Sequence, residues 1–198
     1  NRSSGKMGYS IAREAHSRGA QVVLVSGPCQ LEVPVGVELV KIRSASEMAR
    51  VVFERAEDVD VVVMAAAVSD YSPDRTSLQK IKKSNAEMVI SLKRTVDILG
   101  ALGEKDNQPF LVGFAAESDD LHTESQKKLQ EKKLDLIVGN NISVENGGFQ
   151  SDLNQVIVID RQGSVEELPL LSKVKVARIL WDRIEDKLDT RKVRSNSE

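Results

Sequence analysis

The sequence predicts an α/β protein built on a doubly wound, mainly parallel β-sheet with helices on both faces. Short runs of β-branched residues alternate with amphipathic helical stretches over most of the chain, which is the pattern of βαβ units. The strongest of these runs, Val59–Val68, is nearly all valine and alanine, so both of its faces must be covered by other elements. At 198 residues, the chain is long enough for one domain with a sizeable core.

The first helix and the first two strands follow from their residue patterns. Lys6–Arg18 carries an apolar stripe at helical spacing, and Gly19 stands where such a helix would stop. The β-branched run Val22–Val25 and the segment Val37–Ile42 then predict two short strands.

A second helix precedes the valine-rich strand, and a polar loop follows it. Ser44 and Glu47 have the spacing of a capping box, which predicts a helix over Met48–Glu57. The stretch Ser69–Gln79 is polar and contains a proline, so it is interpreted as a loop.

The alternation of predicted strands and helices is interrupted after this loop and then resumes. Lys80–Lys83 and Met88–Arg94 alternate polar and apolar residues, which predicts a solvent-facing antiparallel excursion from the sheet. Thr95 is a possible cap for a helix that ends at Leu102, and Phe110–Ala116 is predicted to be another buried strand.

The last third of the chain is predicted to add two helices, a strand and a hairpin. Leu121–Lys133 is a charged helix, and Leu136–Val138 is a short strand. Asn154–Asp160 and Val165–Leu170 flank a turn sequence, which predicts a hairpin, and Val174–Leu188 is an amphipathic helix. The polar residues after it, 189–198, are expected to form a disordered tail.

Composition narrows the classes of function. The formal net charge of −2 gives no broad electrostatic reason to expect nucleic acid or an anionic membrane as a partner. No apolar run approaches the length of a membrane span, and Asn1–Gly8 lacks the apolar core of a signal peptide. The single cysteine, Cys29, cannot form an internal disulfide, so a cytoplasmic location is the simplest expectation. With two histidines and one cysteine, we expect no zinc site.

The predicted topology brings four segments to one edge of the sheet. In doubly wound sheets, ligands bind beyond the carboxyl ends of the strands and near helix N-termini. This rule places Asn1–Gly8, Ala65–Tyr71, Thr95–Ile98 and Gly113–Glu117 at the same edge.

Two of these segments have residues suited to a nucleotide or an acyl group. The small residues of Asn1–Gly8 let backbone N–H groups approach a phosphate at a helix start, although the segment could equally be a flexible lead-in with an N-cap. In Ala65–Tyr71, small side chains allow a planar group to lie on the backbone, and Asp70 could steer a phosphate-bound cation. Tight packing with a turn aspartate would explain the same residues.

Three further candidates each have an ordinary structural alternative. Lys80 and Lys82 share one face of an extended segment and suit a triphosphate, but lysines also protect an edge strand from aggregation. Phe114 could stack on a base or belong to the core. Lys128 and Lys132 share a helix face, which is commonly a solvated surface.

Taken in order, several stretches resemble the phosphopantothenate–cysteine ligase family. They span nearly the whole chain: NRSSGKMG at Asn1, LVSGP at Leu24, AAAVSDY at Ala65, KIKK at Lys80, VGFAAES at Val112, LDLIVGNNIS at Leu134 and GGFQSDLN at Gly147. Each stretch is weak by itself, whereas the ordered set is specific.

The resemblance implies a Rossmann-like fold and a CTP-dependent ligase reaction over residues 1–188. The phosphopantothenate carboxylate would attack the α-phosphorus of CTP to give an acyl-cytidylate, and the amine of L-cysteine would then displace CMP. Mg²⁺ is expected with the triphosphate. The excursion around Lys80 and Met88–Arg94 corresponds to the family's dimerisation element, so a homodimer is expected, and a flavin-dependent decarboxylase domain is a possible fused or associated partner.

The resemblance also assigns roles by position. Asn1 matches the asparagine that stabilises the acyl-cytidylate, and Lys80 matches the lysine required for the first half-reaction. The expected nucleotide-binding residues are Ala66, Asp70, Lys80, Thr95, Val96, Asp97, Ile98, Phe114, Lys128 and Lys132. The expected substrate-binding residues are Asn1, Ser3, Ser4, Gly5 and Ala67.

Two departures from the family pattern stand out. Members usually begin earlier, with a strand and a Gly-Thr-rich loop, so an N-terminal strand is expected to be missing here. Thr95-Val96-Asp97 also stands where many members have proline before the aspartate, which should matter little. Two alternatives remain: a nicotinamide-dependent oxidoreductase, weakened by the lack of a GxGxxG motif, and a non-catalytic nucleotide-binding module.

Overall fold

A computed structural model gives the conformation of residues 3–75, 77, 79, 88–117, 120–141 and 151–195. The helices described are α1 (Lys6–Ser17), α2 (Ala45–Arg55), α3 (Ile98–Gly103), α4 (Leu121–Glu131) and α5 (Lys173–Ser195). The strands described are β1 (Val23–Ser26), β2 (Glu38–Lys41), β3 (Val61–Met64), β4 (Tyr71–Pro73), β5 (Leu92–Arg94), β6 (Phe110–Glu117), β7 (Leu136–Asn141), β8 (Leu153–Asn154), β9 (Val156–Asp160), β10 (Val165–Glu167) and β11 (Leu171–Ser172).

The main sheet has the strand order β10-β9-β7-β6-β3. Strands β3, β6 and β7 are parallel, with Met64 paired to Gly113 and Gly113 paired to Ile137. Strands β9 and β10 complete the sheet in antiparallel orientation. A separate parallel pair, β1 with β2, lies outside this hydrogen-bonded sheet.

Alternate residues of the sheet strands point to opposite faces and pack into two separate hydrophobic cores, one on each face. The first, here called the α1/α5 core, joins the sheet to α1 and α5 and contains Met7, Ile11, Phe110, Val112, Leu136, Val138, Val156, Val158, Val176, Ala177, Leu180 and Ile184, among others. The second, here called the α2/α3/α4 core, contains Met48, Val51, Val52, Ile98, Leu102, Leu111, Ala115, Leu129, Ile137, Ile157 and Ile159, among others. Helices therefore cover both faces, and the predicted doubly wound, mainly parallel α/β class is confirmed.

The predicted antiparallel excursion is present as a two-stranded ribbon. Strand β5 pairs antiparallel with β4, with Tyr71 opposite Arg94. The sequence placed Tyr71–Pro73 in a polar loop, and this was wrong, because the partner strand that makes these polar residues extended lies about twenty residues further along the chain. The predicted strand at Lys80–Lys83 lies outside the described residues.

Two helix ends also differ from expectation. Asp97, and not Thr95, caps α3, because its side chain accepts a hydrogen bond from Gly100 N at 3.1 Å. Helix α5 continues through Ser195, where the sequence predicted a disordered tail from residue 189. The guanidinium of Arg191 donates to Gln108 O at 3.1 Å, which fastens part of this extension to the domain.

Ion pairs fix α5 against its neighbours. Arg18, the residue that follows α1, binds Asp182 at 2.7 Å and Glu185 at 2.8 Å. At the sheet, Lys187 Nζ lies 2.5 Å from Asp160 Oδ2, and the Asp160 side chain is only 10% exposed. Charge pairing therefore supplements the apolar face of α5.

Acidification should weaken the fold partly through Asp160. Burial alone would raise the pKa of its carboxyl, but hydrogen bonds from Lys187 and from Ser164 N outweigh burial and lower that pKa. A carboxyl with a lowered pKa stabilises the fold above its unfolded pKa of about 3.9, and this stability is lost as the pH falls through the lower folded value.

The prediction is that Asp160→Asn makes the unfolding free energy less dependent on pH below about 4 than in the unaltered protein. Urea unfolding between about pH 2.5 and pH 6 measures this difference. Parallel pH profiles for the two proteins would contradict the assignment to Asp160.

In the described part of the chain, no helix combines the length and apolarity needed to cross a bilayer.

Candidate functional site

The carboxyl ends of β3, β6 and β7 form one edge of the main sheet, and the N-terminus of α1 lies at the same edge. Because β9 is antiparallel to β7, the residues just before β9 stand beside the end of β7. One of them, Asn154, places its Nδ2 atom 3.9 Å from the Sδ atom of Met7, in the first turn of α1. The described part of the opening segment thus lies where ligands bind in doubly wound sheets.

The N-terminus of α1 has backbone and charge features that suit an anion. Gly5 is its N-cap, has a φ angle of 75° and provides no side-chain cap, and no acidic residue lies in the first turn. Ser3 Oγ and Ser4 Oγ make long contacts of 3.4 Å with the N–H groups of Gly5 and Lys6. Backbone N–H groups and the helix dipole favour a negative ligand at such a position. Asn1 lies outside the described residues.

The side chain of Cys29 lies next to the first part of α1. Cys29 Sγ donates a hydrogen bond to Tyr9 Oη at 3.0 Å, and Tyr9 Oη contacts Ser26 Oγ at 3.3 Å. Burial opposes ionisation of the Cys29 thiol, but its hydrogen bonds outweigh burial and lower its pKa. These contacts join α1 to the end of β1, and they support a structural interpretation of Cys29.

The loop after β3 presents its small residues at this edge. Ala66 is exposed and Ala67 is half-buried, so the backbone here is accessible to a planar group. Asp70 is exposed, and its carbonyl oxygen accepts a hydrogen bond from Thr95 N at 2.9 Å. Thr95 Oγ1 also donates to Ser69 O at 2.6 Å. Thr95 therefore holds the loop that carries Asp70.

The residues after Thr95 lead into α3, and one of them makes a charged contact with the end of α4. Val96 is exposed, whereas Ile98 is buried in the α2/α3/α4 core, so Ile98 could offer a ligand only its backbone. Asp97 Oδ1 accepts a hydrogen bond from Lys132 Nζ at 2.9 Å. This pair connects the start of α3 to the end of α4, and Lys128 lies one turn before Lys132 on the same helix, half-buried.

Phe114 lies on the opposite face of the sheet from Asp97 and Lys132. It is half-buried and packs against the α1/α5 core, beside its strand partner Val138. Phe114 is thus partly a core residue, but it stands near the carboxyl end of β6, on the face covered by α1.

Direct contacts join part of the predicted site: Thr95 binds the loop of Asp70, and Asp97 binds Lys132. The other described candidates are Ser3, Ser4 and Gly5 at the start of α1, Ala66 and Ala67 after β3, Val96 and Ile98 at the start of α3, Phe114 on β6 and Lys128 on α4. Asn1 and Lys80, the two residues predicted to be catalytic, lie outside the described residues.

Buried polar side chains at this edge were missed by the sequence prediction. Asn140 ends the buried part of β7, Asn154 ends β8, and Lys173 begins α5, and all three are buried. The signal available in the sequence was weak: an asparagine pair after a strand can be a turn or a polar site, and lysine on a helix is usually exposed.

The described residues contain no group of three or more His, Cys, Asp or Glu side chains that could hold a metal ion. A lone carboxylate such as Asp70 is nevertheless suited to Mg²⁺ that is bound mainly by phosphate oxygens, since Mg²⁺ commonly keeps its waters and takes one or two carboxylates.

Comparisons with known proteins agree with this architecture. The family model "DNA/pantothenate metabolism flavoprotein C-terminal domain" matches residues 1–188. The coenzyme A biosynthesis bifunctional protein CoaBC of Bacillus subtilis (strain 168) is 43% identical over 178 residues, which are 89% of this chain and 44% of that protein. The chain thus spans about half the length of the curated relatives it matches.

Two solved structures are similar to the whole of the described fold. The crystal structure of the C-terminal domain of CoaBC is 41% identical, with a TM-score of 0.81 over 96% of this chain and 86% of that one. The DNA/pantothenate metabolism flavoprotein from Streptococcus pneumoniae has a TM-score of 0.79 over 94% of this chain and 90% of that one, at 22% identity, and shows the fold alone.

Proposed function

The chain belongs to the DNA/pantothenate metabolism flavoprotein C-terminal domain family, and from this we propose that it is a phosphopantothenate–cysteine ligase of coenzyme A biosynthesis. It would join 4′-phosphopantothenate to L-cysteine through an amide and consume CTP. The observation that carries the proposal is the match of the family model to residues 1–188, and the position of the α1 N-terminus beside Asn154 supports it.

The reaction has two steps. A carboxylate oxygen of phosphopantothenate attacks the α-phosphorus of CTP, the bond between the α-phosphorus and the bridging oxygen breaks, and pyrophosphate leaves. The cysteine nitrogen then attacks the acyl carbon, the bond from that carbon to the CMP oxygen breaks, and the nitrogen loses a proton. Activation is needed because a free carboxylate is a poor acyl donor, whereas CMP is a good leaving group.

Electrostatic roles are assigned to the two residues predicted to be catalytic. The Lys80 ammonium offsets negative charge that develops on the leaving phosphates in the first step. The Asn1 amide stabilises the acyl-cytidylate and the oxyanion that forms when cysteine attacks. Both roles follow from the resemblance and from the chemistry of these groups.

The described edge supports a nucleotide site between α1 and α3. The N–H groups at the start of α1 suit phosphate, and Phe114 could contact a base from the face of β6 that α1 covers. Asp70 would hold Mg²⁺ bound to the triphosphate, and the ion would neutralise phosphate charge. The pair Asp97–Lys132 positions the start of α3, where backbone groups of residues 95–98 would meet the nucleotide.

Reactions that each lack one component can identify the nucleotide and the substrates together. The protein is incubated with phosphopantothenate, cysteine and either CTP or ATP, and pyrophosphate is measured. Pyrophosphate release that requires both CTP and phosphopantothenate is expected. A folded protein that releases none, or that shifts in thermal stability with NAD but not with CTP, would contradict the ligase proposal.

The β4–β5 ribbon is proposed to form a homodimer interface. It exposes several large apolar side chains in and next to its strands: Tyr71, Met88, Val89, Ile90, Leu92 and Val96. Contiguous exposed apolar surface usually marks an interaction site. The bifunctional relatives also suggest a fused or associated decarboxylase, and a cytoplasmic location suits the proposed metabolic role.

Leu92→Asp should therefore convert the dimer to a monomer. Leu92 is 58% exposed, so a carboxylate there costs little in the monomer but would be buried without a partner in the interface. Light scattering after size-exclusion chromatography measures the mass, and Val35→Asp, at a position 92% exposed outside the ribbon, is the matched control. A Leu92→Asp protein with the mass of the unaltered one would place the interface elsewhere.

A further inference from the structure

Thr95 lies where three parts of the structure meet. It directly follows the last residue of β5, and α3 begins three residues later. Its N–H group donates to Asp70 O at 2.9 Å, and its hydroxyl donates to Ser69 O at 2.6 Å. Thr95 therefore connects the β4–β5 ribbon, the loop after β3 and the start of α3.

The two hydrogen bonds of Thr95 differ in what they require. Because Tyr71 pairs with Arg94, the bond from Thr95 N to Asp70 O continues the antiparallel ladder of the ribbon by one step. This backbone bond does not depend on the side chain. The hydroxyl bond extends the connection to Ser69, beyond the ladder, and it requires a hydroxyl group on a short side chain.

The ribbon itself is mostly exposed. Strands β4 and β5 have three residues each and, in the described part of the chain, form a sheet of two strands. Tyr71 and Leu92 are both more than half exposed, so packing of these side chains does little to fix the ribbon. A two-stranded hairpin is only marginally stable by itself. The direction of the ribbon therefore depends strongly on the bonds at its base, which Thr95 makes.

The residues on the other side of Thr95 are anchored in the domain. Ile98 is buried in the α2/α3/α4 core, and Asp97 caps α3 and binds Lys132 Nζ at 2.9 Å. Consecutive Cα atoms are only about 3.8 Å apart, so the short link from Thr95 to Ile98 cannot absorb a large shift of the ribbon. Such a shift must pass to the start of α3 or, through the two hydrogen bonds, to the loop that carries Asp70.

We propose that Thr95 is a positioning residue whose hydroxyl couples the β4–β5 ribbon to the nucleotide site. When a second copy of the chain fixes the ribbon, the hydroxyl holds Ser69 and Asp70 where they suit Mg²⁺ and the phosphates of CTP. Coupling between two binding events is reciprocal, so CTP with Mg²⁺ tightens the dimer by the same factor. This inference rests on the proposed ligase function and on the proposed ribbon interface, and it adds the connection between them.

Thr95→Val tests the coupling, because valine keeps the branched shape and the backbone N–H and removes only the hydroxyl. Loss of one neutral hydrogen bond changes an equilibrium constant about 2- to 13-fold, so the dissociation constant for CTP with Mg²⁺ should rise by about that factor. The KM for phosphopantothenate should not change. Ser69 is exposed, so water can replace the hydroxyl at its carbonyl oxygen, and the urea midpoint should stay close to that of the unaltered protein.

The second measurement is the dissociation constant of the dimer, obtained by analytical ultracentrifugation with and without CTP and Mg²⁺. In the unaltered protein, the nucleotide should lower this constant by the factor that dimer formation adds to nucleotide affinity. In Thr95→Val, the effect of the nucleotide on the dimer should largely disappear. A hydroxyl with a merely structural role would change the stability of the fold and leave this effect in place.

Two further variants serve as controls. Thr95→Ser keeps the hydroxyl and should restore both the CTP affinity and the effect of the nucleotide on the dimer. Thr190→Val removes a bond of the same kind, from Thr190 Oγ1 to Asp186 O at 2.8 Å in α5, and should behave as the unaltered protein. A Thr95→Ser protein with the defects of Thr95→Val would overturn the role of the hydroxyl.

The outcomes separate the coupling from the ligase proposal. Titration calorimetry with CTP and Mg²⁺ tests the coupling even if no amide forms. Equal CTP affinity of Thr95→Val and the unaltered protein, or a dimer constant that the nucleotide does not change, overturns the coupling, while turnover leaves the ligase function standing. A lower urea midpoint with equal increases in the KM for CTP and for phosphopantothenate would show a general structural role and would also overturn it.

Discussion

Lys80→Ala should slow pyrophosphate release from CTP by about 10²- to 10³-fold or more, the effect expected when a group that stabilises transition-state charge is removed. In the proposed first step, a carboxylate approaches a triphosphate, so negative charge concentrates on the oxygens around the α- and β-phosphorus atoms. A lysine ammonium offsets that charge at the moment it develops, and water is a poor substitute because it must reorganise. The loss should therefore appear mainly in kcat.

The measurement is a single-turnover assay of the first half-reaction without cysteine. Lys105→Ala is the matched control, since Lys105 is an exposed lysine whose contact is with Glu57 at 3.6 Å. It should retain the activity of the unaltered protein. If Lys80→Ala forms the acyl-cytidylate at the unaltered rate, the role assigned to Lys80 is wrong.

Gly103→Ala should destabilise the fold by about 1–3 kcal/mol, the usual cost of overpacking. A Cβ atom at this position would lie 2.1 Å from the backbone oxygen of Lys132, much closer than atoms can approach. Helix propensity acts in the opposite direction, because alanine favours a helix by about 0.5–1 kcal/mol over glycine. The steric clash should outweigh the gain in helix propensity, because the clashing atom belongs to the backbone and not to the flexible end of a side chain.

The same substitution should weaken nucleotide binding. Moving α3 away from the end of α4 would lengthen the 2.9 Å contact between Asp97 and Lys132. Urea unfolding gives the stability change, and Gly8→Ala is the matched control, because a Cβ there meets no atom within 4 Å and should stabilise α1. A Gly103→Ala protein as stable as the unaltered one would show that the two helices can separate without cost.

Most of the fold was predictable because local pattern and tertiary burial agree. In β6, β7 and β9, every residue type needed for a buried strand is present in sequence, and both faces are in fact covered. Helix α2 was predictable from Ser44, whose Oγ accepts a hydrogen bond from Glu47 N at 3.1 Å, as a capping box requires.

The errors arose where distant residues decide the local structure. Tyr71–Pro73 is extended because Leu92–Arg94 pairs with it, and no local pattern shows that pairing. Thr95 has a good capping residue type, but its hydroxyl is used by Ser69 O, and Asp97 caps the helix instead.

The candidate site was predictable in its location but not in its buried polar groups. The carboxyl edge of the sheet follows from topology alone, so Ala66, Asp70 and Phe114 could be placed near one another. The burial of Asn140 and Lys173 could not be foreseen, because residues of these types are mostly exposed and no local sequence pattern marks them as buried.

The central claim is that the carboxylate of phosphopantothenate is activated by attack on the α-phosphorus of CTP. Phosphopantothenate labelled with ¹⁸O in its carboxylate, incubated with the protein, CTP and cysteine, tests this by mass spectrometry of the products. We predict that one ¹⁸O atom appears in CMP, because the carbon–oxygen bond of the acyl-cytidylate breaks when cysteine attacks. Unlabelled CMP, or ¹⁸O in inorganic phosphate with CDP as the nucleotide product, would contradict the claim.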